Sequence, residues 1–167
     1  EYLERQDMAD FLEHLSFGLE IFHVSKKDFD HGGTRRLAVA RSRTPYFICM
    51  TQDAMPVDQN LVERLLEPFA GDAKAPDQRQ SADGSRAENP VAAVYGRQAA
   101  RPDCSVLEAY TRSFNYPGED CVKSKKDLER LGIKTFFCSN VCAAYRRDIY
   151  DKLGGFEEHT IFNEDMI

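Results

Sequence analysis

The sequence has no apolar run close to the ~20 consecutive residues that a helix needs to cross a lipid bilayer. It also has no block rich in lysine and arginine, and acidic residues outnumber basic ones 28 to 22, for a net charge of −6. Because nucleic-acid-binding domains usually carry a basic patch, nucleic acid is not expected as a partner. The opening EYLERQDMAD is charged throughout, so we expect no secretion signal there.

The number of cysteines is odd. Disulfide-stabilised secreted domains usually have an even number, so we expect free thiols in a cytoplasmic protein. A metal site at the last two cysteines is disfavoured because no further ligands stand at a matching spacing, and buried thiols are the preferred interpretation. The five cysteines are Cys49, Cys104, Cys121, Cys138 and Cys142.

Apolar residues make up 42% of the sequence and charged residues 30%, which is an ordinary balance for a soluble globular protein. The 167 residues favour one domain. Neither end carries a clear terminal cap or turn signal, so we expect residues 1–167 to be a single partial domain of a longer protein. Residues 70–89 are polar, contain proline and glycine, and predict a flexible loop.

The order of predicted elements favours an α/β fold with a mostly parallel sheet flanked by helices. Ligands of such sheets bind beyond the carboxyl ends of the strands, and Asp53 directly follows one predicted strand. Asp58 is a plausible N-cap for the helix that comes next. Hydrophobic periodicity predicts helices at 7–15, after the glycine pair 32–33, and at 58–69, 105–114, 124–132 and 147–154, and strands at 18–24, 46–50, 91–97 and 133–147.

Asp53 lies in the stretch YFICMTQDAMPVD. Aspartate and proline are common in turns that end a strand, which is one interpretation of this residue. A carboxylate at the end of a buried strand is also suited to binding a metal ion or ligand. The residues alone leave both interpretations open.

The stretch DHGGTRR carries Gly32 and Gly33 just before a predicted helix. Free N–H groups at a helix start can hold a phosphate or a sugar oxygen. Alternatively, the glycines form a tight turn that requires positive φ. His31 is either a ligand contact or a solvated turn residue, and a metal role is disfavoured because no second ligand stands at a suitable spacing.

Glu164 and Asp165 are adjacent acids near the end of the sequence. Acids at a helix start stabilise the helix dipole, which is the structural interpretation. The functional interpretation makes one of them a general base.

Several motifs occur together and in a fixed order: FDHGGTRRLAVARS, YFICMTQDAMPVD, VAAVYGRQAARPD, FNYP, GIKTFFCSNVCAAYRRDIYDKLGGF and IFNEDMI. In this order they resemble family 2 glycosyltransferases of the GT-A fold, and most of all the bacterial rhamnosyltransferase branch. The resemblance runs over most of residues 18–167. It implies a GT-A-like, Rossmann-related mixed sheet that is mostly parallel, in an incomplete domain whose first strand–helix unit and C-terminal part lie outside this sequence.

The resemblance also implies an activity and partners. The reaction would be an inverting transfer of a sugar, rhamnose from dTDP-rhamnose, to an acceptor hydroxyl in polysaccharide or glycolipid synthesis. The acceptor would be a saccharide or a lipid-linked saccharide. The enzyme would be cytoplasmic, with peripheral association to the inner face of the plasma membrane through parts outside this sequence.

Individual residues receive roles from the same resemblance. Asp53 would hold Mg²⁺ or Mn²⁺ on the donor diphosphate, although Thr51 replaces a first acid of the family motif. A hard cation can be bound by one carboxylate together with phosphate oxygens. Asp165 would be the catalytic base, with Glu164 orienting its loop. The remaining donor contacts would be Gln52 and the segment with His31, Gly32, Gly33 and Arg35, while Arg36 stands where asparagine is common.

Two other functions remain open at this stage. The chain could be a non-catalytic GT-A-like remnant or binding module, since the nucleotide-binding unit is absent from the sequence. It could also be a glycoside hydrolase that uses Asp53 and Asp165 as its pair of carboxylates.

Overall fold

The structure is a computed structural model. It describes residues 12–74 and 90–160, with only the backbone of 71–74. No helix in these ranges is long and apolar enough to cross a membrane. The helices are α1 (His31–Arg41), α2 (Leu61–Lys74), α3 (Val106–Asn115), α4 (Leu128–Leu131) and α5 (Arg147–Leu153), and the strands are β1 (Tyr46–Met50), β2 (Ala93–Tyr95) and β3 (Cys142–Arg146).

The three described strands form one sheet in the order β1-β3-β2. Strand β3 pairs antiparallel with both neighbours. Its residue Tyr145, for example, lies opposite Phe47 of β1 and Ala93 of β2. The predicted mostly parallel sheet is therefore not confirmed by the described strands. The connection between β2 and β3 explains their antiparallel pairing. After β2 the chain passes through α3 and α4 and begins β3 at the same edge of the sheet where β2 ended.

Helix α2 covers one face of the sheet and aromatic side chains cover the other. Phe69 is 2% exposed and packs with Leu65 on Ala144. On the opposite face, Phe156 packs on Ala143 and Tyr145. The two alanines of β3 are fully buried, so the centre of the sheet accommodates only small side chains between its two covering layers.

Helix α1 begins at an aspartate and packs very closely against the chain after α5. The Asp30 carboxylate accepts a hydrogen bond of 2.6 Å from the Gly33 N–H and is the N-cap. A β-carbon on Gly32 would lie 1.8 Å from the Glu157 carbonyl oxygen. Both glycines are helical and neither has positive φ. The turn interpretation of the glycine pair is therefore wrong.

Two side chains, Arg36 of α1 and the N-cap residue Asp30, hold residues 156–160 in place. Arg36 donates a hydrogen bond of 3.2 Å to the Phe156 carbonyl and forms an ion pair of 3.0 Å with Glu158. The second oxygen of Asp30 accepts from the His159 N–H at 3.1 Å. These contacts give Arg36 a structural role that was not predicted from the sequence.

Two predicted strands are wrong in whole or in part. Residues 18–24 are irregular, because no neighbouring strand among the described residues pairs with them, and an unpaired strand is not stable. Of the predicted strand 133–147, only Cys142–Arg146 is β-structure, while Gly132–Phe136 forms a 3₁₀ helix. The Lys134 carbonyl of this helix accepts a hydrogen bond from the ammonium of Lys123 at 3.2 Å, so tertiary contacts override the β-propensity of this run.

Helix α1 begins at His31, before the glycine pair rather than after it, and helix boundaries differ from the predictions at two further places. Asp58 does not cap α2, which begins at Leu61; its carboxylate accepts from the Asn60 N–H in the preceding turn and pairs with Arg64. The helix continues through Pro68 to Lys74, so the predicted loop at 70–89 begins too early. The rest of that loop, residues 75–89, lies outside the described residues, as does most of the predicted helix 7–15.

The other helices confirm their predictions. Ser105 caps α3 by accepting from the Glu108 N–H at 3.2 Å. Gly154 ends α5 with a φ of 93°, a conformation that glycine adopts without steric cost. All five cysteines lie in the described residues and are free, which confirms that no disulfide framework is present.

The close approach at Gly32 leads to a testable prediction. Gly32→Ala should lower the free energy of unfolding by about 1–3 kcal/mol through overpacking, although alanine favours a helix by about 1 kcal/mol over glycine. Urea denaturation measures the difference. Gly18→Ala is the control because no atom lies within 4 Å of its β-carbon position. Equal stability of the Gly32 variant and the parent would contradict the described packing.

Candidate active site

Strands β1 and β2 end, and β3 begins, at one edge of the sheet. Residues 51–54 form a turn there, with the Ala54 N–H donating to the Thr51 carbonyl at 3.1 Å. The Thr51 N–H donates to the Val141 carbonyl at 3.1 Å, which joins this turn to the segment before β3. Asp53 is exposed in the turn. The turn interpretation of Asp53 is thus confirmed, and its role in binding a ligand stays a prediction.

The surroundings of Asp53 keep it ionised. Its pKa lies below the usual aspartate value, chiefly because of the Thr51 hydroxyl, then its own backbone N–H, with a smaller contribution from the positive charge of Arg112. The Thr51 hydroxyl is buried and does not meet the geometry of a full hydrogen bond, so its effect is that of a nearby dipole. Asp53 is therefore an accessible anion at neutral pH.

A cleft of about 560 Å³ opens between α3 and residues 137–139. This volume is within the usual range for small-molecule sites, about 300–1,000 Å³. Gln98, which follows β2, lines the cleft, as does Arg112, whose charge acts on Asp53. The cleft and the Asp53 turn lie at the same edge of the sheet, where the Thr51 N–H is bound to the Val141 carbonyl, two residues after Ser139.

The polar groups of the cleft are connected to one another. The Gln98 side-chain amide donates to the Ser139 hydroxyl at 3.1 Å and to the Tyr116 hydroxyl. Arg112 forms an ion pair of 3.5 Å with Glu108, one turn earlier in α3. These contacts join three segments that are distant in the sequence.

The predicted donor-binding residues of α1 do not line this cleft. His31 is exposed, and its ring lies edge-on to Phe29 with centroids 5.0 Å apart. Arg35 donates to the His31 carbonyl within its own helix. The Gly33 N–H is already bound by Asp30, and Gly32 is closed off by Glu157. Of this predicted group, only His31 and Arg35 present side chains that reach solvent.

Glu164 and Asp165 lie outside the described residues. Gln52, the remaining predicted donor contact, is exposed in the same turn as Asp53.

Asp53 is the residue predicted to bind a divalent cation. In residues 12–74 and 90–160 no group of three or more His, Cys, Asp or Glu side chains is placed to hold a metal. One ionised, exposed carboxylate fits Mg²⁺ or Mn²⁺ only when phosphate oxygens complete the coordination, which is an arrangement that such cations accept.

The sequence did not indicate Gln98, Arg112, Tyr116 or Ser139. They belong to three segments with no shared spacing, and only the fold brings them together. The one local signal is the helical pattern of α3, which does not tell which of its faces lines a cleft.

The ranking of effects on Asp53 can be tested. Thr51→Val should raise the pKa of the Asp53 carboxyl more than Arg112→Gln, because the hydroxyl contributes more than the distant charge. Carbon-13 NMR of the aspartate carboxyl signals across an acid titration measures both. Arg130→Gln is the control, because Arg130 pairs at 2.7 Å with a different carboxylate, that of Asp127. A larger shift in the Arg112 variant would reverse the proposed order.

Comparison with known proteins identifies relatives. The sequence matches the model of glycosyl transferase family 2 over residues 4–154. It is 42% identical over 149 residues to the O-antigen chain rhamnosyltransferase RfbN of Salmonella typhimurium, a match that covers 89% of this chain and 42% of that protein. It is also 42% identical over 147 residues to the O-antigen chain rhamnosyltransferase WbaN of Salmonella anatum, covering 87% and 41%.

No solved structure matches the chain. The chain spans about two fifths of the length of these two curated relatives. The family match covers most of the chain and confirms the resemblance seen in its motifs, and it implies a GT-A-like α/β fold. The chain belongs to glycosyl transferase family 2, in the branch that contains these two rhamnosyltransferases.

Proposed function

We propose that the protein is an inverting glycosyltransferase that moves a sugar from a nucleotide-sugar donor to an acceptor hydroxyl. The observation that carries this proposal is the position of Asp53. It is an ionised, exposed carboxylate at the edge where β1 and β2 end, beside a cleft with hydrogen-bonding side chains. In a chain of glycosyl transferase family 2, this edge is the expected place for the donor.

The donor diphosphate is assigned to the Asp53 turn. Asp53 would hold Mg²⁺ or Mn²⁺ together with the phosphate oxygens, and the ion would offset negative charge on the departing nucleoside diphosphate. Gln52 in the same turn is the proposed neighbouring contact. His31 and Arg35 are the proposed contacts from α1, because their side chains reach solvent, while Gly32 and Gly33 allow the close packing and capping of that helix.

Rhamnose from dTDP-rhamnose is the proposed donor sugar. Support comes from the two relatives, both named as O-antigen chain rhamnosyltransferases. The proposed acceptor is a saccharide or lipid-linked saccharide in polysaccharide synthesis. The proposed location is the cytoplasm, at the inner face of the plasma membrane where the acceptor is lipid-linked.

Asp165 is the proposed base that takes the proton of the acceptor hydroxyl. An inverting transfer needs this proton removed on the side opposite the leaving group, and a carboxylate within hydrogen-bond reach is suited to the task. Support for Asp165 comes from the match of NEDM to the acidic family motif. Glu164 is proposed to orient the loop.

The function is tested by incubating the protein with dTDP-rhamnose and saccharide acceptors that carry a lipid-like aglycone. We expect release of dTDP together with a rhamnosylated product of inverted anomeric configuration. Failure to bind any nucleotide sugar in calorimetry would favour a non-catalytic module. Release of free sugar from a glycoside without any nucleotide would favour a hydrolase.

Removing the carboxylate of Asp53 tests the donor site. Asp53→Asn should reduce kcat/KM by at least about tenfold to a hundredfold, the scale seen for weaker outer-shell partners of metal ligands, and should abolish stimulation by Mg²⁺ or Mn²⁺. Asp58→Asn is the matched control, because Asp58 follows in the same loop but pairs with Arg64 at 3.1 Å. Full activity of Asp53→Asn in EDTA would remove Asp53 from the donor site.

Removing the proposed base tests the acceptor side. Asp165→Asn should lower kcat by about 10²-fold or more, the usual scale for loss of a general base, with little change in donor affinity. Glu164→Gln is the control and should have a smaller effect. If Asp165 only stabilised a helix start, its loss would cost about 1 kcal/mol of stability. In that case, kcat of the folded variant would be unchanged.

A further inference from the structure

We infer that the cleft between α3 and residues 137–139 is a saccharide subsite, in which the side-chain carbonyl of Gln98 accepts a hydrogen bond from a sugar hydroxyl. The inference deepens the proposed function and rests on it for the source of the sugar. It rests on the geometry of the cleft, which is lined by none of the site residues predicted from the sequence.

The Gln98 amide is fixed by its own hydrogen bonds. Its nitrogen donates to the Ser139 and Tyr116 hydroxyls, so both N–H groups of the amide are used. Within the described residues no hydrogen bond is formed by its oxygen. Because Gln98 is half-buried and lines the cleft, this oxygen is a preorganised acceptor for a hydroxyl donor.

The other groups of the cleft suit a sugar rather than a fully apolar ligand. The side chains of Tyr116 and Phe137 provide aromatic surface for the C–H groups of a sugar ring. Ser139 and Asn115 add a hydroxyl and an amide, which can both donate and accept hydrogen bonds. An apolar wall with a few fixed polar groups is the usual composition of a small-molecule site.

One wall residue of the cleft, Phe137, is bound by the ammonium group of Lys123. Lys123 donates to the Phe137 carbonyl at 2.6 Å and to the Tyr95 hydroxyl at 2.9 Å, and lies 4.8 Å from the centre of the Tyr95 ring. The rings of Tyr95, Tyr116 and Phe137 contact one another edge-on, with centroids 5.6–6.4 Å apart. Such mutual support keeps the walls of a site in place before a ligand arrives.

The cleft also lies where a sugar of the proposed reaction is needed. The wall residue Ser139 precedes Val141, whose carbonyl binds the Thr51 N–H of the Asp53 turn. A sugar in the cleft would therefore adjoin a diphosphate held at Asp53.

The experiment is an NMR titration of nitrogen-15-labelled protein with methyl α-L-rhamnopyranoside. We expect the Gln98 side-chain amide signals and the Ser139 backbone signal to shift. Gln98→Met, which keeps the length of the side chain but removes its amide, should weaken the affinity by about threefold to tenfold, the effect of one hydrogen bond. Gln59→Met changes an exposed glutamine in the turn before α2 and should have no effect.

A second pair of variants tests the positioning of Gln98. Tyr116→Phe removes one partner of the amide and should move the Gln98 side-chain signals and weaken glycoside binding without lowering Tm markedly. Tyr110→Phe removes a hydroxyl from the exposed face of the same helix, where Tyr110 is 65% exposed, and should leave both unchanged. Absence of any Gln98 shift at the highest soluble glycoside concentration, or wild-type affinity in Gln98→Met, would overturn the subsite.

Two further arms identify the source of the sugar. If the glycoside shifts persist with dTDP bound but vanish with dTDP-rhamnose, the subsite holds the donor sugar. If they persist with both, it holds the acceptor. Glycoside binding does not require turnover, so the two proposals can fail separately. Binding in the cleft without sugar transfer would overturn only the proposed function. Sugar transfer without any shift of the cleft signals would overturn only the subsite.

Discussion

The fold depends on the position and direction of β3. This strand lies between β1 and β2 and begins at the edge of the sheet where both of those strands end. Its backbone is hydrogen-bonded on both sides. Ala143 and Ala144 are fully buried between α2 on one face and the aromatic side chains on the other. A larger side chain at either alanine would separate the sheet from one of its covering layers, and such overpacking typically costs about 1–3 kcal/mol.

This path of the chain also creates the candidate site. Because β3 begins where β1 and β2 end, the Asp53 turn, Gln98 and Ser139 meet at one edge although they are far apart in the sequence. Lys123 then fixes the segment that leads into β3 by binding the Lys134 and Phe137 carbonyls. Partial burial raises the pKa of its partner Tyr95 to about 12, with smaller contributions from Cys121 and Cys138, because loss of water disfavours the charged phenolate.

The sequence predicted elements with a local cause better than those with a distant one. Ser105 at the start of α3 and Gly154 at the end of α5 act within one helical turn, and both helices were predicted correctly. The run 133–147 has strong β-propensity, but only Cys142–Arg146 pairs with other strands. The position of Asp53 followed from one apolar strand and a turn, whereas Gln98 depends on two contacts that cross the fold.

The donor set of the proposed metal site has a consequence for the order of events. A single carboxylate supplies one ligand and one negative charge, and the guanidinium of Arg112 partly offsets that charge. A divalent cation would then gain most of its coordination from the phosphate oxygens of the donor. The ion and the nucleotide sugar would therefore bind together rather than in sequence.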